Sequence, residues 1–152
     1  MGENIIKEVY PEGNPSPAEK NRMIAKQESE RTVVLAAEEG MSLSSGSLRL
    51  YALPYGCIDL YNYDPLNRRA AVGIMVSGEY RRQGYALAML RELSKFAIKN
   101  SKLHTLYADI AATNTASLAL FQKAGYTQCG HFKEWLLVKD QYIDSIRVQK
   151  TL

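Results

Sequence analysis

The sequence predicts an α+β fold, in which a mixed, mostly antiparallel and twisted sheet is flanked by helices. Three strand-like runs joined by short turns come first, and a long amphipathic helix follows them. A further strand, a short helix and two closing strands complete the pattern. With 152 residues, 46% of them hydrophobic, the chain can bury a core of its own, so we expect a single domain over residues 1–152.

Residues 1–46 carry the weakest pattern. Ser16 followed by Pro17, with Glu19 as the capping-box partner, predicts a helix that runs to about Glu30. The run Thr32–Ala37 is β-branched and apolar, which predicts a strand. The pattern becomes clear only after this region.

An antiparallel meander is predicted for the middle of the chain. The runs Leu48–Leu53 and Cys57–Tyr63 are strand-like, and Pro54–Gly56 between them is a turn sequence. A second turn, Asp64–Asn67, leads into Ala70–Val76. That third run is apolar on both faces, which is typical of a central strand.

A crossover helix is expected next. Apolar residues recur at helical spacing from about Gly84 to Lys99, with charged residues on the opposite side. The following run, Leu103–Ala111, is strand-like. Because a helix connects it to Ala70–Val76, we expect the two strands to lie parallel.

A short helix and a hairpin close the predicted fold. The helix spans about Thr115–Ala124 and stops at Gly125, a residue that readily adopts the left-handed conformation of a C-terminal cap. The runs Tyr126–Phe132 and Tyr142–Lys150 are both strand-like.

Composition excludes several classes of function. The formal charge is only +3 and forms no dense basic block, so no nucleic acid partner is expected. No apolar run approaches the ~18 residues that a membrane span needs, and no secretory leader is visible. Cys57 and Cys129 lack metal-ligand spacing, so we expect no metal. The default expectation is a cytoplasmic protein with reduced thiols.

The polar loop Ser77–Gln83 joins the central strand to the long helix. A helix N-terminus presents unpaired backbone N–H groups and the positive end of a dipole, and both attract anions. Arg81 and Arg82 add cationic donors, while Gly84 and Ala86 are small enough for a ligand to approach the backbone. Neither the Walker pattern nor the G-x-G-x-x-G pattern is present. The loop predicts a pyrophosphate site, with a relaxed turn and solvated arginines as the alternative.

At this loop the sequence resembles the GNAT superfamily of N-acetyltransferases. Arg81, Gly84 and Ala86 fit the family pattern R/Q-x-x-G-x-G/A, which binds the coenzyme A pyrophosphate. A second stretch, Asn114–Tyr126, is similar to the family pattern N-x-x-S/A-x-x-L-Y/F-x-K-x-G-F/Y. Two motifs at the right separation make the resemblance specific.

The resemblance covers about residues 47–149 and leaves residues 1–46 poorly matched. Arg68–Ala70 and Tyr142–Asp144 look most like the branch of spermidine/diamine and ribosomal-protein N-terminal acetyltransferases. It implies an acetyltransferase domain in which residues 47–149 form the acetyl-CoA-binding core.

In this fold the two parallel strands are expected to splay apart, and the pantetheine arm of acetyl-CoA enters the gap. The loop after the first strand would hold the pyrophosphate, and the second motif would line the arm. The residues that the resemblance assigns to the cosubstrate are Met75, Val76, Arg81, Arg82, Gln83, Gly84, Tyr85, Ala86, Asn114, Ser117, Phe121 and Lys123.

The implied reaction is direct attack by a primary amine on the thioester, and the acceptor is a polyamine, a small metabolite or a protein amine. The sequence departs from the family at two positions, because Phe121 replaces a frequent tyrosine acid and Ala71 replaces a frequent glutamate base. We therefore take Asp59 and Tyr107 as the candidate catalytic residues, with Asp109 and Tyr126 as further substitutes.

The same two departures motivate a rival hypothesis, a non-catalytic acyl-CoA-binding sensor or regulatory module. Homodimers are common in the family, so the resemblance also implies that this chain can form a homodimer.

Overall fold

The computed structural model describes Ser16, Ala18 and residues 31–152. The helix predicted from Ser16 to Glu30 therefore lies outside the described residues, apart from those two. The described strands and helices are β1 (Ala36–Ala37), β2 (Leu48–Ala52), β3 (Gly56–Asp64), β4 (Arg69–Val76), α1 (Tyr85–Asn100), β5 (Thr105–Ala111), α2 (Thr115–Lys123), β6 (Thr127–Val138) and β7 (Gln141–Thr151).

The strands form one mixed sheet in the order β1-β2-β3-β4-β5-β7-β6. Among the strands that the structure describes, only β4 and β5 pair in parallel, and every other neighbouring pair is antiparallel. The parallel pair is the one that α1 connects, as a crossover requires. The predicted α+β class and its mostly antiparallel sheet are confirmed.

The core of the described residues lies between one face of the sheet and helices α1 and α2. Alternate residues of the strands are buried on that face, among them Ile58 and Leu60 of β3 and Leu106 of β5. Met89 and Leu90 of α1 are fully buried against them. The helical spacing in the sequence therefore predicted the buried side of α1 correctly.

Strands β4 and β5 separate after three residue pairs, the last of which is Ala71 opposite Tyr107. Strand β4 nevertheless continues to Val76, where its other edge is still paired with β3. The edge that β4 turns toward β5 therefore lacks a strand partner from Val72 onward, and this gap is the predicted splay.

The predicted strand Thr32–Ala37 is reduced to Ala36 and Ala37, which pair with Tyr51 and Leu50. Val33 is instead buried in the core, while its neighbour Val34 is exposed. The β-branched residues in this run therefore reflect packing of one side chain rather than a long ladder.

The closing hairpin is longer than predicted, since β6 reaches Val138 and β7 starts at Gln141. The register shifts between Phe132 and Leu136, and Glu134 has a positive φ of 50°. This irregularity interrupts the alternation of side chains, which is why the sequence pattern stopped at Phe132. No described helix is long and apolar enough to cross a membrane.

Candidate coenzyme site

The loop after β4 places a helix N-terminus beside the gap in the sheet. A single 3₁₀ turn, Gly78–Tyr80, follows the strand, and α1 begins at Tyr85. Gly84 is the N-cap residue with φ 87°, a conformation that other residues adopt only at a steric cost. The first N–H groups of α1 have no acceptor within the helix, so they are free to bind an anion.

The two arginines of the loop have different surroundings. The Arg81 Nε–H donates to the carbonyl of Val76 at 3.0 Å, which ties this side chain back to the end of β4. Arg82 is exposed with φ 60°, and its side chain forms no hydrogen bond or ion pair with the described part of the chain. Gln83 braces the loop, because its side-chain amide donates to the Glu79 carbonyl at 2.9 Å. Arg82 is thus the loop arginine best placed to meet a ligand.

A cavity of about 360 Å³ lies between this loop, the start of α1 and the side of α2. Small residues on both walls, Gly84 and Ala86 on one side and Ala116 and Ala119 on the other, keep it open. The predicted coenzyme residues that line it are Val76, Arg81, Arg82, Gly84, Tyr85, Ala86 and Lys123.

Other predicted coenzyme residues do not line this cavity. Met75 is 62% exposed at the end of β4, and Gln83 faces Glu79. Asn114 caps α2, where its side-chain oxygen accepts a hydrogen bond from the Ser117 N–H at 3.1 Å. The cap leaves the Asn114 amide NH₂ available as a donor.

Phe121 is buried, with its ring edge-to-face against Tyr126 at 4.9 Å. Phe121 does not line the cavity at the loop, whose α2 side is formed by Ala116, Ala119, Leu120 and Lys123, and its predicted place along the pantetheine arm stays a prediction. The four lining positions share one side of α2 at helical spacing, and that periodicity was the available sequence signal.

Three tyrosines join the coenzyme loop to the β2–β3 turn. The rings of Tyr55 and Tyr85 stack at 3.9 Å, and Tyr80 meets Tyr55 edge-on at 5.0 Å. Burial, together with the hydrogen bond to Tyr55, raises the pKa of Tyr85. Because Tyr80 and Tyr85 also line the cavity, the cluster sets the shape of one of its walls.

Arg31 connects an earlier part of the chain to the same loop. Its guanidinium lies over the Tyr85 ring at 4.9 Å, and its Nε–H donates to the Gln83 carbonyl at 3.2 Å. On the other side of the loop, the Ser77 N–H donates to the Tyr55 carbonyl at 2.8 Å. Hydrogen bonds therefore fix the loop beside the cavity at both of its ends, with Arg31 on one side and with Tyr55 on the other.

The candidate catalytic residues lie on the sheet face opposite the helices. Asp59 stands opposite Gly73 in the β3–β4 register, and both its carboxylate oxygens accept hydrogen bonds from Arg49, at 2.8 and 2.9 Å. Tyr107 stands at the point where β4 and β5 separate, with the Arg147 guanidinium 4.6 Å above its ring. The two are thus on the same face but not in contact through any described hydrogen bond.

Tyr126 is buried, and its hydroxyl has no hydrogen-bond partner among the described residues. Burial raises the pKa of this phenol well above its usual value. A buried hydroxyl without a partner destabilises a fold, so Tyr126 is an unexplained polar group beside Phe121. Within the described part of the chain, no group of three potential metal ligands occurs.

Comparison with known proteins decides the family. The sequence profile of the acetyltransferase (GNAT) domain matches residues 3–127, which is most of the chain. The chain belongs to the GNAT acetyltransferase family.

This GNAT chain is similar to curated acetyltransferases over part of their length. A spermidine N(1)-acetyltransferase of Vibrio cholerae is 23% identical over 93 residues, which cover 61% of this chain and 54% of that protein. The putative ribosomal N-acetyltransferase YdaF of Bacillus subtilis is 28% identical over 91 residues, which cover 60% of this chain and 50% of the relative. The chain thus spans about half the length of the curated relatives it matches.

Solved structures share the GNAT fold. A Vibrio cholerae spermidine N-acetyltransferase in complex with CoA and spermine has a TM-score of 0.67 at 18% identity, covering 94% of this chain and 79% of that one. A SpeG chimera from Vibrio cholerae and hSSAT has a TM-score of 0.67 at 20% identity, covering 70% and 68%. At such identities the likeness concerns the fold alone.

Proposed function

We propose that this GNAT domain is an acetyl-CoA-dependent N-acetyltransferase that moves an acetyl group to a primary amine. The observation that carries the proposal is the continuity of two features: a cavity at a helix N-terminus and an unpaired edge of β4 that ends at Val76. The first suits a pyrophosphate, and the second suits an extended arm with amide groups. The relatives named as spermidine and ribosomal acetyltransferases point to the same class of reaction.

The residues present fit coenzyme A. The N–H groups at the start of α1 would bind the pyrophosphate, with the Arg82 side chain adding charge-assisted hydrogen bonds. Lys123 on the opposite wall would meet an adenosine phosphate. The small side chains of Ala116 and Ala119 leave the space that the coenzyme needs.

The free edge of β4 would hold the pantetheine arm. Beyond Ala71 this edge has no partner on β5, so the end of β4, where we predicted Met75 and Val76 to contribute, would form hydrogen bonds with the amides of the arm as another strand would. The Val76 carbonyl already accepts from Arg81, and the Met75 carbonyl lies against Gly56 of β3, so the Val76 N–H is the group best placed for this role. Acetyl-CoA would supply a thioester carbonyl that a neutral amine attacks directly. As the amide bond forms, the C–S bond would break, coenzyme A would leave as a thiolate, and the proton that the amine gives up would pass to that thiolate. A main-chain N–H of β4 would stabilise the negative charge that develops on the carbonyl oxygen.

Proton transfer is assigned to the face opposite the helices. Arg49 donates hydrogen bonds to both carboxylate oxygens of Asp59, at 2.8 and 2.9 Å, so this side chain is already engaged. Tyr107 stands at the start of the gap and lines a polar cavity. We therefore propose Tyr107 as the group that relays a proton, with Asp59 as an electrostatic neighbour.

The second candidate function is a non-catalytic acyl-CoA-binding module. Phe121 favours it, because its ring is buried and carries no hydroxyl at the position of the frequent tyrosine acid. Asn114, Ser117 and Gln83 keep their proposed place near the cosubstrate in both functions. A homodimer and a cytoplasmic location also stay predictions.

Calorimetry with acetyl-CoA tests the coenzyme site. Arg82→Gln should weaken binding roughly ten-fold, since it removes one charge-assisted contact to a phosphate. Arg68→Gln is the matched control, because this exposed arginine lies outside the cavity. Absence of binding to the unaltered chain would refute the proposal.

An amine screen then separates the two functions. Release of free coenzyme A thiol, measured with polyamines, amino acids and peptides as acceptors, is expected of an enzyme. Binding of acetyl-CoA without thiol release from any acceptor would establish the non-catalytic module instead.

A further inference from the structure

A second cavity, of about 460 Å³, lies on the sheet face opposite the helices. Its strand residues alternate with Leu106, Ala108, Ile146 and Val148, which are buried on the helix face. The residues that line it are Asn67, Arg69, Thr105, Tyr107, Arg147 and Gln149, all of them polar.

Arg147 is held in a fixed orientation at this cavity. Its Nε and Nη2 donate to the two carboxylate oxygens of Asp109, at 2.7 and 2.9 Å, and its guanidinium lies over the Tyr107 ring. A guanidinium has five N–H donors in a rigid fork. The bidentate pair uses two of them, so the remaining donors can serve a ligand.

The second arginine of the cavity has a looser partner. Arg69 contacts Asp64 through a single pair of atoms at 3.2 Å and keeps about half of its side chain exposed. Asn67 already donates twice to that carboxylate, and these hydrogen bonds lower the pKa of Asp64. Arg69 can therefore turn toward an anion without leaving Asp64 unpaired.

The lining is rich in donors and contains no carboxylate. Every described aspartate on this side of β3 and β5 has an arginine partner, namely Asp59 with Arg49, Asp64 with Arg69 and Asp109 with Arg147. An arrangement of this kind suits an oxyanion. A polyamine carries several ammonium groups, and the lining of this cavity offers them no carboxylate.

The cavity begins where the gap begins. Tyr107 lines the cavity and belongs to the last β4–β5 pair, while helices α1 and α2 cover the other face. An acceptor would therefore approach the gap from the cavity side. A strand rises about 3.3 Å per residue, so a point two or three residues beyond Ala71 along β4 lies roughly 7–10 Å from the cavity.

We propose that the acceptor amine of this chain carries a carboxylate or a phosphate, and that this oxyanion binds between Arg69, Arg147 and Gln149. The inference rests on the proposed acetyl transfer and specifies its acceptor. It predicts an acceptor whose amine and oxyanion are separated by about the length of an eight-carbon chain.

Matched acceptors test the proposal by thiol release. The probes are 8-aminooctanoate, 8-aminooctyl phosphate, the neutral 8-aminooctanamide and spermidine. The two anionic probes distinguish carboxylate from phosphate, and the better of them should exceed the amide in kcat/KM by about ten-fold or more. Equal use of anion and amide, or preference for spermidine, would overturn the proposal.

Binding is measured separately, so that failure of catalysis remains distinguishable. With coenzyme A present, calorimetry should show the preferred anionic probe bound to the unaltered chain and about ten-fold weaker binding to Arg69→Gln and Gln149→Leu. The neighbouring exchange Arg68→Gln removes the same charge outside the cavity and should leave binding unchanged. If neither anionic probe binds, the site is refuted whatever the outcome of turnover. Binding without thiol release would retain the site and refute the acetyl transfer.

Discussion

Replacing Arg31 tests whether a side chain outside the cavity controls coenzyme affinity by ordering the loop between β4 and α1. In the structure this side chain makes two contacts with the loop, the guanidinium over Tyr85 at 4.9 Å and the hydrogen bond to the Gln83 carbonyl at 3.2 Å. Arg31 itself does not line the cavity, but Tyr85, whose ring it covers and which begins α1 at the end of the loop, does. Any effect of Arg31→Ala on acetyl-CoA must therefore pass through the loop.

The magnitude follows from the two contacts. A cation over an aromatic ring stabilises by about 0.5–1 kcal/mol at a partly exposed site. A hydrogen bond from a charged donor contributes about 1.5–3 kcal/mol when it is well shielded. Because Arg31 is only half-buried and the hydrogen bond is long, solvent weakens both contacts, and we expect about half of the summed contribution, about 1–2 kcal/mol of loop ordering.

If the loop must be ordered to bind the pyrophosphate, this loss weakens acetyl-CoA binding roughly five- to thirty-fold. Calorimetry with acetyl-CoA measures the change, and Arg31→Lys is the matched control. Lysine keeps a cation over Tyr85 but cannot reproduce the Nε–H geometry. The affinity of the Arg31→Lys chain for acetyl-CoA should therefore lie between those of the unaltered chain and of Arg31→Ala. An Arg31→Ala chain with unchanged Kd and unchanged unfolding free energy would refute the coupling.

Three further predictions follow from individual contacts. Gly84→Ala should lower the unfolding free energy by about 1–2 kcal/mol, because a φ of 87° is unfavourable for alanine. Denaturant titration measures the change. Gly78→Ala is the control, because Gly78 has no positive φ and a Cβ there would meet nothing within 4 Å. Tyr126→Phe should leave the unfolding free energy unchanged or raise it by about 1 kcal/mol, because it removes an unpartnered hydroxyl; a clear loss of stability would reveal a hidden partner. Hydrogen bonds from the Glu134 N–H and from His131 lower the pKa of Asp144. That stabilisation is present above the unfolded pKa of about 3.9 and is lost as the pH falls through the lower folded value. Asp144→Asn should therefore destabilise the chain near neutral pH, and the difference should vanish in acid-unfolding curves at low pH.

Local patterns determined much of the fold. The amphipathic period of α1 and the turns between β2, β3 and β4 are properties of neighbouring residues, and the structure confirms them. The parallel pairing of β4 and β5 followed from one further rule, that a helix joins them. The short run Thr32–Ala37 failed because β-branched residues are equally suited to packing a single side chain into a core.

The coenzyme motif was visible for a similar reason. Arg81, Gly84 and Ala86 lie within six positions of one another, so their chemistry is encoded by local spacing. The positive φ that favours glycine at position 84 is likewise a local property of the start of α1.

What only the tertiary structure decided is which distant residues surround that motif. Arg31 meets Gln83 across 52 positions, and Arg147 meets Asp109 across 38. Phe121 turned into the core rather than toward the cavity at the loop, since its ring packs against Tyr126. The sequence by itself determined α1, α2 and most of the described strands, because these depend on interactions between near neighbours. The phosphate-binding role of the loop stays a prediction. The two cavities depend on contacts between residues far apart in the chain, and these form only when the sheet and helices pack together.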